Sequence, residues 1–357
     1  MIFYFSLSVL FFFNILICKF SKDKVFKYFM FFVLFLLLFL VSGLRVDIGI
    51  DYKNFERDYD DLTINYLKDN FTFFSEPIYL LSCIIFKFCG IPYCGFVFFI
   101  SFFTLFPIFK ISKNSYFSLV LFYILFYQIS FCVIQQFWAI SISILGIYFY
   151  YGKKKIKGIL LLFIACLIHL SMYVFFVVFM LAQFCRQKKF IQMSSILFFF
   201  LYFIFLKTDF IFEKLLPIIL KDTAYFSYIG SKYFKEVVGG TGLGVMLRYL
   251  FYFILIYLNY KYISVNKIKN TLHLFMCCLI LADGLSLRIE IFQRLVYIFY
   301  PVLVLIPLYL ENTTPKKVII KNEKPLLLYA AVFIALIISL GLPQTWGNVP
   351  YQLLKLL

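Results

Sequence analysis

Charge is scarce in this chain. Asp, Glu, Lys and Arg together make up 14% of its 357 residues, where about 25% is usual for soluble domains. A water-soluble globular protein is thereby excluded, and a 64% hydrophobic composition with a mean hydropathy of +0.96 points the same way. Acids are scarcer than bases, 17 against 34. The nine cysteines contain no CxxC pair and lie mostly inside apolar runs, which excludes a disulfide framework and a zinc site. The opening "MIFYFSLSVLFFFNILIC" lacks a basic leader and a small-residue cleavage pattern, so it reads as a first span and not as a cleaved signal peptide. No internal repeat is visible. The 52 Phe partly reflect a compositional bias, so a single aromatic carries little information.

What the chain does have is uncharged runs: 1–18, 28–44, 88–109, 114–152, 158–185, 190–206, 295–310 and 325–354. A bilayer core of about 30 Å needs about 20 apolar residues as a helix, and ~17 suffice. The expectation is an all-α, polytopic integral membrane protein, a single transmembrane domain over 1–357. Short basic loops mark its cytoplasmic side. They are 19–27, 110–115, 152–157, 185–189, 259–270 and 311–325, and among the acids they hold only Asp23, Glu311 and Glu323. The net charge of +17 thus lies on one face, which suits anionic inner-leaflet lipid and leaves nothing for nucleic acid.

Threading helices through these loops gives about twelve spans: 2–18, 28–44, 95–109, 116–132, 137–151, 158–168, 170–184, 190–206, 244–260, 271–284, 295–310 and 326–341. Residues 158–184 are short for two crossings and are read as a hairpin with His169 at its tip, in preference to one long span. Residues 45–94 form a first outer loop with two interfacial helices. One is "YKNFERDYDDLTINYL"; the other starts at Glu76-Pro77, where Pro suits the first helical position and Glu complements the dipole. Residues 207–243 form a second outer loop.

With this threading the polar residues gather on the outer face: Arg45, Asp51 and Tyr52, then Gln135 and Gln136, then His169, Arg248, Arg288, Glu290 and Arg294. Singly, each has an ordinary reading. An Arg at a span end snorkels, the glutamines tie helices together, and "GGTGLG" (239–244) is a turn into the next span. Together, guanidinium, carboxylate, imidazole and amide at one depth suggest a cavity, because polar groups there are rare otherwise. Such a cavity suits group transfer on an anionic, lipid-linked substrate. Arg grips phosphate oxygens in bidentate fashion, and a carboxylate or His takes a proton from an attacking hydroxyl.

"GLRVDIGIDYKNFERDY" resembles the Arg-x-x-x-Gly-x-Asp-Tyr-x-x-Tyr signature of the EpsG-type family of polysaccharide polymerases: Arg45, Gly49, Asp51 and Tyr52 match it, Phe55 stands at its last aromatic position, and Tyr59 follows four residues on. "EPIY", "QQFWAISI", "LIHLSMY" and "RLVYIFYPVLVLIP" follow in the family's order, so the resemblance runs over roughly 42–310. One departure stands out: the family typically has Arg-Gln where this chain has Gln135-Gln136.

The resemblance implies a GT-C-like glycosyltransferase with a large first periplasmic loop in the bacterial inner membrane. It implies transfer of a growing glycan from undecaprenyl diphosphate onto a new lipid-linked unit at the periplasmic face, with no cofactor and no metal. In that reading Asp51, His169 and Glu290 are the catalytic candidates, and Arg45, Arg248, Arg288 and Arg294 hold the diphosphate. Tyr52, Tyr59, Gln135 and Gln136 touch substrate. A chain-length regulator is a candidate partner beside the membrane lipid. An O-antigen ligase, a sugar-decorating membrane acyltransferase and an oligosaccharide flippase are the competing classes.

Overall fold

In the computed structural model the described residues are 2–66, 72, 75–113, 115–184, 218, 242–286, 292–313 and 323–339. They are mainly helical, with no strand among them. The helices are α1 (Ile2–Phe20), α2 (Lys24–Gly43), α3 (Tyr52–Asp61), α4 (Pro77–Phe88), α5 (Tyr93–Ser112), α6 (Tyr116–Phe122) and α7 (Ile134–Tyr151). Then come α8 (Lys155–Ile168), α9 (Met172–Phe184), α10 (Gly242–Tyr262), α11 (Asn266–Ser286), α12 (Gln293–Phe299), α13 (Pro301–Thr313) and α14 (Glu323–Ser339). Eleven of the twelve expected spans fall on these helices; the twelfth, 190–206, lies outside the described residues, as does nearly all of the 207–243 loop.

Among the described residues five helical stretches are long and apolar enough to cross a membrane: α1, α2, α5, Lys267–Ser286 and Gln293–Glu311. Helix α1 shows the membrane signature at residue level. It buries Leu7, Phe11, Ile15 and Cys18 at helical spacing, yet its opposite face exposes Phe5, Phe13 and Leu16 instead of charge. A helix in water would place polar residues there. The protein is a membrane-embedded, all-helical chain.

The residues form two compact units, Met1–Tyr173 with Ala335–Leu357, and Val174–Ile334. In the first, α5 packs between α2 and α7, and α7 lies against α8 in the most extensive helix pair. That pair is close because glycines face each other: a Cβ on Gly158 would stand 2.7 Å from the Gly146 carbonyl oxygen. Without side chains at the contact, two backbones approach closely, the means by which helices associate in lipid. The segment 158–184 breaks at His169, between α8 and α9, so it is not one continuous helix. The expected helix at 77–88 is present and packs on α8.

Helix α6 continues as a π-turn, Tyr123–Tyr127, and a 3-10 turn, Ile129–Phe131, before α7 begins. The loop after α2 folds into this break. Gly49 sits there at φ +102°, and a Cβ on it would lie 2.6 Å from the Phe131 carbonyl oxygen. The glycine of the sequence signature is therefore required twice, for its dihedral and for backbone-to-backbone approach. We expect Gly49→Ala to destabilise the protein by about 1–3 kcal/mol, seen as a lower thermal midpoint of the detergent-solubilised protein.

Candidate active site

Three segments of the first unit meet at one carboxylate. Glu76 stands at the N-cap position of α4 in the left-handed region, φ 58° and ψ 52°, yet it makes no side-chain cap bond to its own helix. Its carboxylate turns to the far end of the α7–α8 pair. Oε1 pairs with Nδ1 of His169 and accepts the Leu170 backbone N–H at 2.9 Å. Oε2 accepts from Gln135 Nε2 at 2.6 Å, and the same amide donates to the Ile168 carbonyl at 2.9 Å. Gln136, next along, donates to Ser171 at 3.3 Å. The close α7–α8 packing brings this about, because it sets the start of α7 beside the end of α8.

Burial would raise the Glu76 carboxyl, but the His169, Leu170 and Gln135 hydrogen bonds more than offset it and hold it below its ordinary 4.5. An ionised carboxylate can only accept, so the proton of the imidazole must sit on Nδ1. In the neutral ring Nε2 then carries the lone pair. A carboxylate fixing the tautomer of a histidine leaves the other nitrogen as a proton acceptor, the arrangement general bases use.

Beside this cluster a cleft of about 350 Å³ opens between α3 and α4. Glu76 and Gln135 form part of its wall, with Asp58, Asp61, Tyr66 and Tyr79. Lys87 fastens the two helices together: its ammonium donates to the Asp60 and Leu62 carbonyls, the latter at 2.8 Å, at the end of α3 where cations are favoured.

The signature residues are placed differently. Arg45 is 1% exposed and ties elements together. Its Nη1 donates to the Ser42 carbonyl at the end of α2, to Ser42 Oγ at 3.2 Å and to Ser101 Oγ at 3.3 Å, and the guanidinium lies 4.7 Å from the Phe131 ring centroid. Burial pulls its pKa down, with Tyr93 and Tyr52 opposing. Among the described residues no carboxylate pairs with it; the negative end of the α2 dipole and an aromatic face balance it. Tyr52 is buried edge-on to Tyr93, and Tyr59 donates to the Ile91 carbonyl at 2.7 Å. Burial, then Cys83 and Asp60, push the Tyr59 phenol up to about 12, so it stays a donor. These two tyrosines, seven positions apart, anchor α3. Asp51 stands half-buried at its N-cap position.

In the second unit Arg248, on α10, donates to Asp283 of α11 at 2.6 Å, and Asp283 is 1% exposed. Arg294 is exposed in the first turn of α12. Arg288 and Glu290 lie outside the described residues. Two residues of weight escaped the sequence reading: Glu76, taken only for a dipole complement, and Asp283, an acid inside an apolar run. Each carried a signal. Glu76 opens the "EPIY" stretch of the family resemblance, and an ionisable residue within a span is a functional hypothesis by default.

Removing the charge at position 76 tests the cluster. We expect Glu76→Gln to cost about 1–3 kcal/mol of stability at neutral pH. The depressed carboxyl stabilises the fold above its ordinary value, and that gain is lost as pH falls through the lower folded-state value. The thermal midpoints of wild type and variant should therefore converge only below the ordinary 4.5.

No curated protein and no solved structure matches the chain. The EpsG family profile matches residues 27–353, nearly its whole length, and covers both the signature loop and the Glu76–His169 cluster. Such membership suggests a polysaccharide-polymerase-like membrane protein. The chain belongs to the EpsG family.

Proposed function

We propose that the protein is a polysaccharide polymerase that transfers a growing glycan from undecaprenyl diphosphate onto a new lipid-linked repeat unit, at the periplasmic face of the bacterial inner membrane. The observation that carries this reading is the Glu76–His169–Gln135 cluster, assembled beside a cleft in an EpsG-family chain. A hydroxyl of the acceptor sugar attacks the anomeric carbon of the lipid-linked glycan. As the new glycosidic C–O bond forms, the bond to the diphosphate breaks, and the diphosphate leaves with the electron pair. The hydroxyl proton passes to Nε2 of His169, while Glu76 holds the ring and stabilises the imidazolium.

Of the other catalytic candidates, Asp51 is a proposal from the sequence signature alone, and Glu290 rests on the sequence alone. Arg248 keeps the diphosphate-binding role, with Asp283 fixing its guanidinium in place. Arg294 keeps the same role. Arg45, which lies inside the first unit, acts in this reading by holding the signature loop in shape.

Deletion of the gene followed by gel analysis of the surface polysaccharide tests the class. Loss of the ladder with a single unit retained supports the polymerase. Loss of all units indicates a ligase or flippase, and an intact ladder with altered modification indicates an acyltransferase. In the complemented strain, His169→Ala should lower the transfer rate by about 10²- to 10⁴-fold while the protein stays in the membrane at wild-type level. Ladders of normal length from that variant would remove the histidine from the mechanism.

A further inference from the structure

A second question is what the cleft between α3 and α4 selects. At about 350 Å³ it lies at the small end of ligand cavities, which run from about 300 to 1,000 Å³. That volume suits a short saccharide and leaves no room for a polyprenyl tail. Its walls have two kinds of surface. Tyr66 and Tyr79 offer aromatic faces, on which the apolar face of a sugar ring packs. Asp58, Asp61, Glu76 and Gln135 offer carboxylate and amide groups, which accept and donate to vicinal hydroxyls.

The charge balance is one-sided. Three of the lining residues are carboxylates, and no Lys or Arg is among the described lining residues. Glu76 is partnered by His169, Leu170 and Gln135. Asp58 has Arg57 at 3.9 Å, an exposed contact between chain neighbours that is worth little. Asp61 is exposed at the end of α3, where Lys87, which is not among the lining residues, caps the Asp60 and Leu62 carbonyls. An acidic sugar brought here would meet like charge, and a neutral or amino sugar would not.

We infer that this cleft is the acceptor-saccharide subsite and that it takes a neutral or amino sugar at the non-reducing end of the incoming unit, discriminating against uronic and other acidic sugars. The inference rests on the glycan-transfer reading for the word acceptor. The site and its charge preference stand on the cleft itself. At about 6 Å and an intermediate effective dielectric, one carboxylate facing another weakens binding by about tenfold or more.

The test uses the full-length protein in lipid nanodiscs. The probes are oligosaccharides released from the organism's own surface polysaccharide by mild acid and separated by anion exchange into acidic and non-acidic pools. Binding is read by saturation-transfer NMR. The non-acidic pool should bind wild type, and Asp61→Lys and Tyr66→Ala, both at exposed positions, should weaken it by about tenfold. Asp61→Lys should also admit the acidic pool. Preference of wild type for the acidic pool, equal binding by the variants, or no binding of either pool overturns the inference.

The gel analysis of the deletion strain separates the two claims. A lost ladder with no saccharide binding leaves the polymerase standing and removes the subsite. An intact ladder with the expected binding keeps the subsite and removes the polymerase.

Discussion

A carboxylate withdrawn from water must be surrounded by donors or give up its charge, and the first unit is organised around one such group. Glu76 collects a ring nitrogen, a backbone N–H and a side-chain amide, drawn from the start of α7 and the turn after α8. None of these donors is near it in sequence. They converge because Gly146 and Gly158 let α7 and α8 approach backbone to backbone, and because α4 begins where their open end lies. The cost is visible at the residue itself. Glu76 adopts a left-handed backbone that non-glycine residues rarely enter, and it leaves its own helix uncapped. Strain of this kind persists only where the surroundings over-determine it, which is common at functional sites.

The signature loop has the opposite character. Its charged residues suggest a substrate-facing surface, yet Arg45 is enclosed, Tyr52 is buried and the Tyr59 hydroxyl is committed to a backbone carbonyl. Gly49 makes this possible by letting the loop enter the break after α6. The signature therefore builds the platform from which α3 projects, and the face that α3 turns to the cleft carries Asp58 and Asp61. Much of a short family motif can serve to fix a scaffold, as Arg45, Gly49 and Tyr52 do here.

What could be read from the sequence follows from the range of the interactions. Apolar runs are local and cumulative, so the helices, the break at His169 and the start of α4 at Pro77 were all legible. The loop's burial was not, because charge in a sequence says nothing of a backbone that folds over it. Nor was the pairing of Glu76 with His169, 93 residues apart, or of Arg248 with Asp283, 35 apart. Periodicity locates helices; it does not say which ends meet. Of the residues expected to converge, Gln135, Gln136 and His169 come together within the first unit, with Glu76 added.

The departure at position 135 gains a physical meaning from this geometry. An arginine there, as the resemblance leads one to expect, would face the Glu76 carboxylate and neutralise it with a fixed cation. Gln135 supplies a hydrogen bond at 2.6 Å but no charge. The negative charge of Glu76 is then left for the one partner able to become positive, the imidazole of His169. A proton taken up by His169 would be stabilised by a carboxylate that no permanent cation contacts among the described residues. The loss of a guanidinium at this position need not weaken the site. It shifts the electrostatic burden from a residue that is always charged to one that is charged only while it holds the proton.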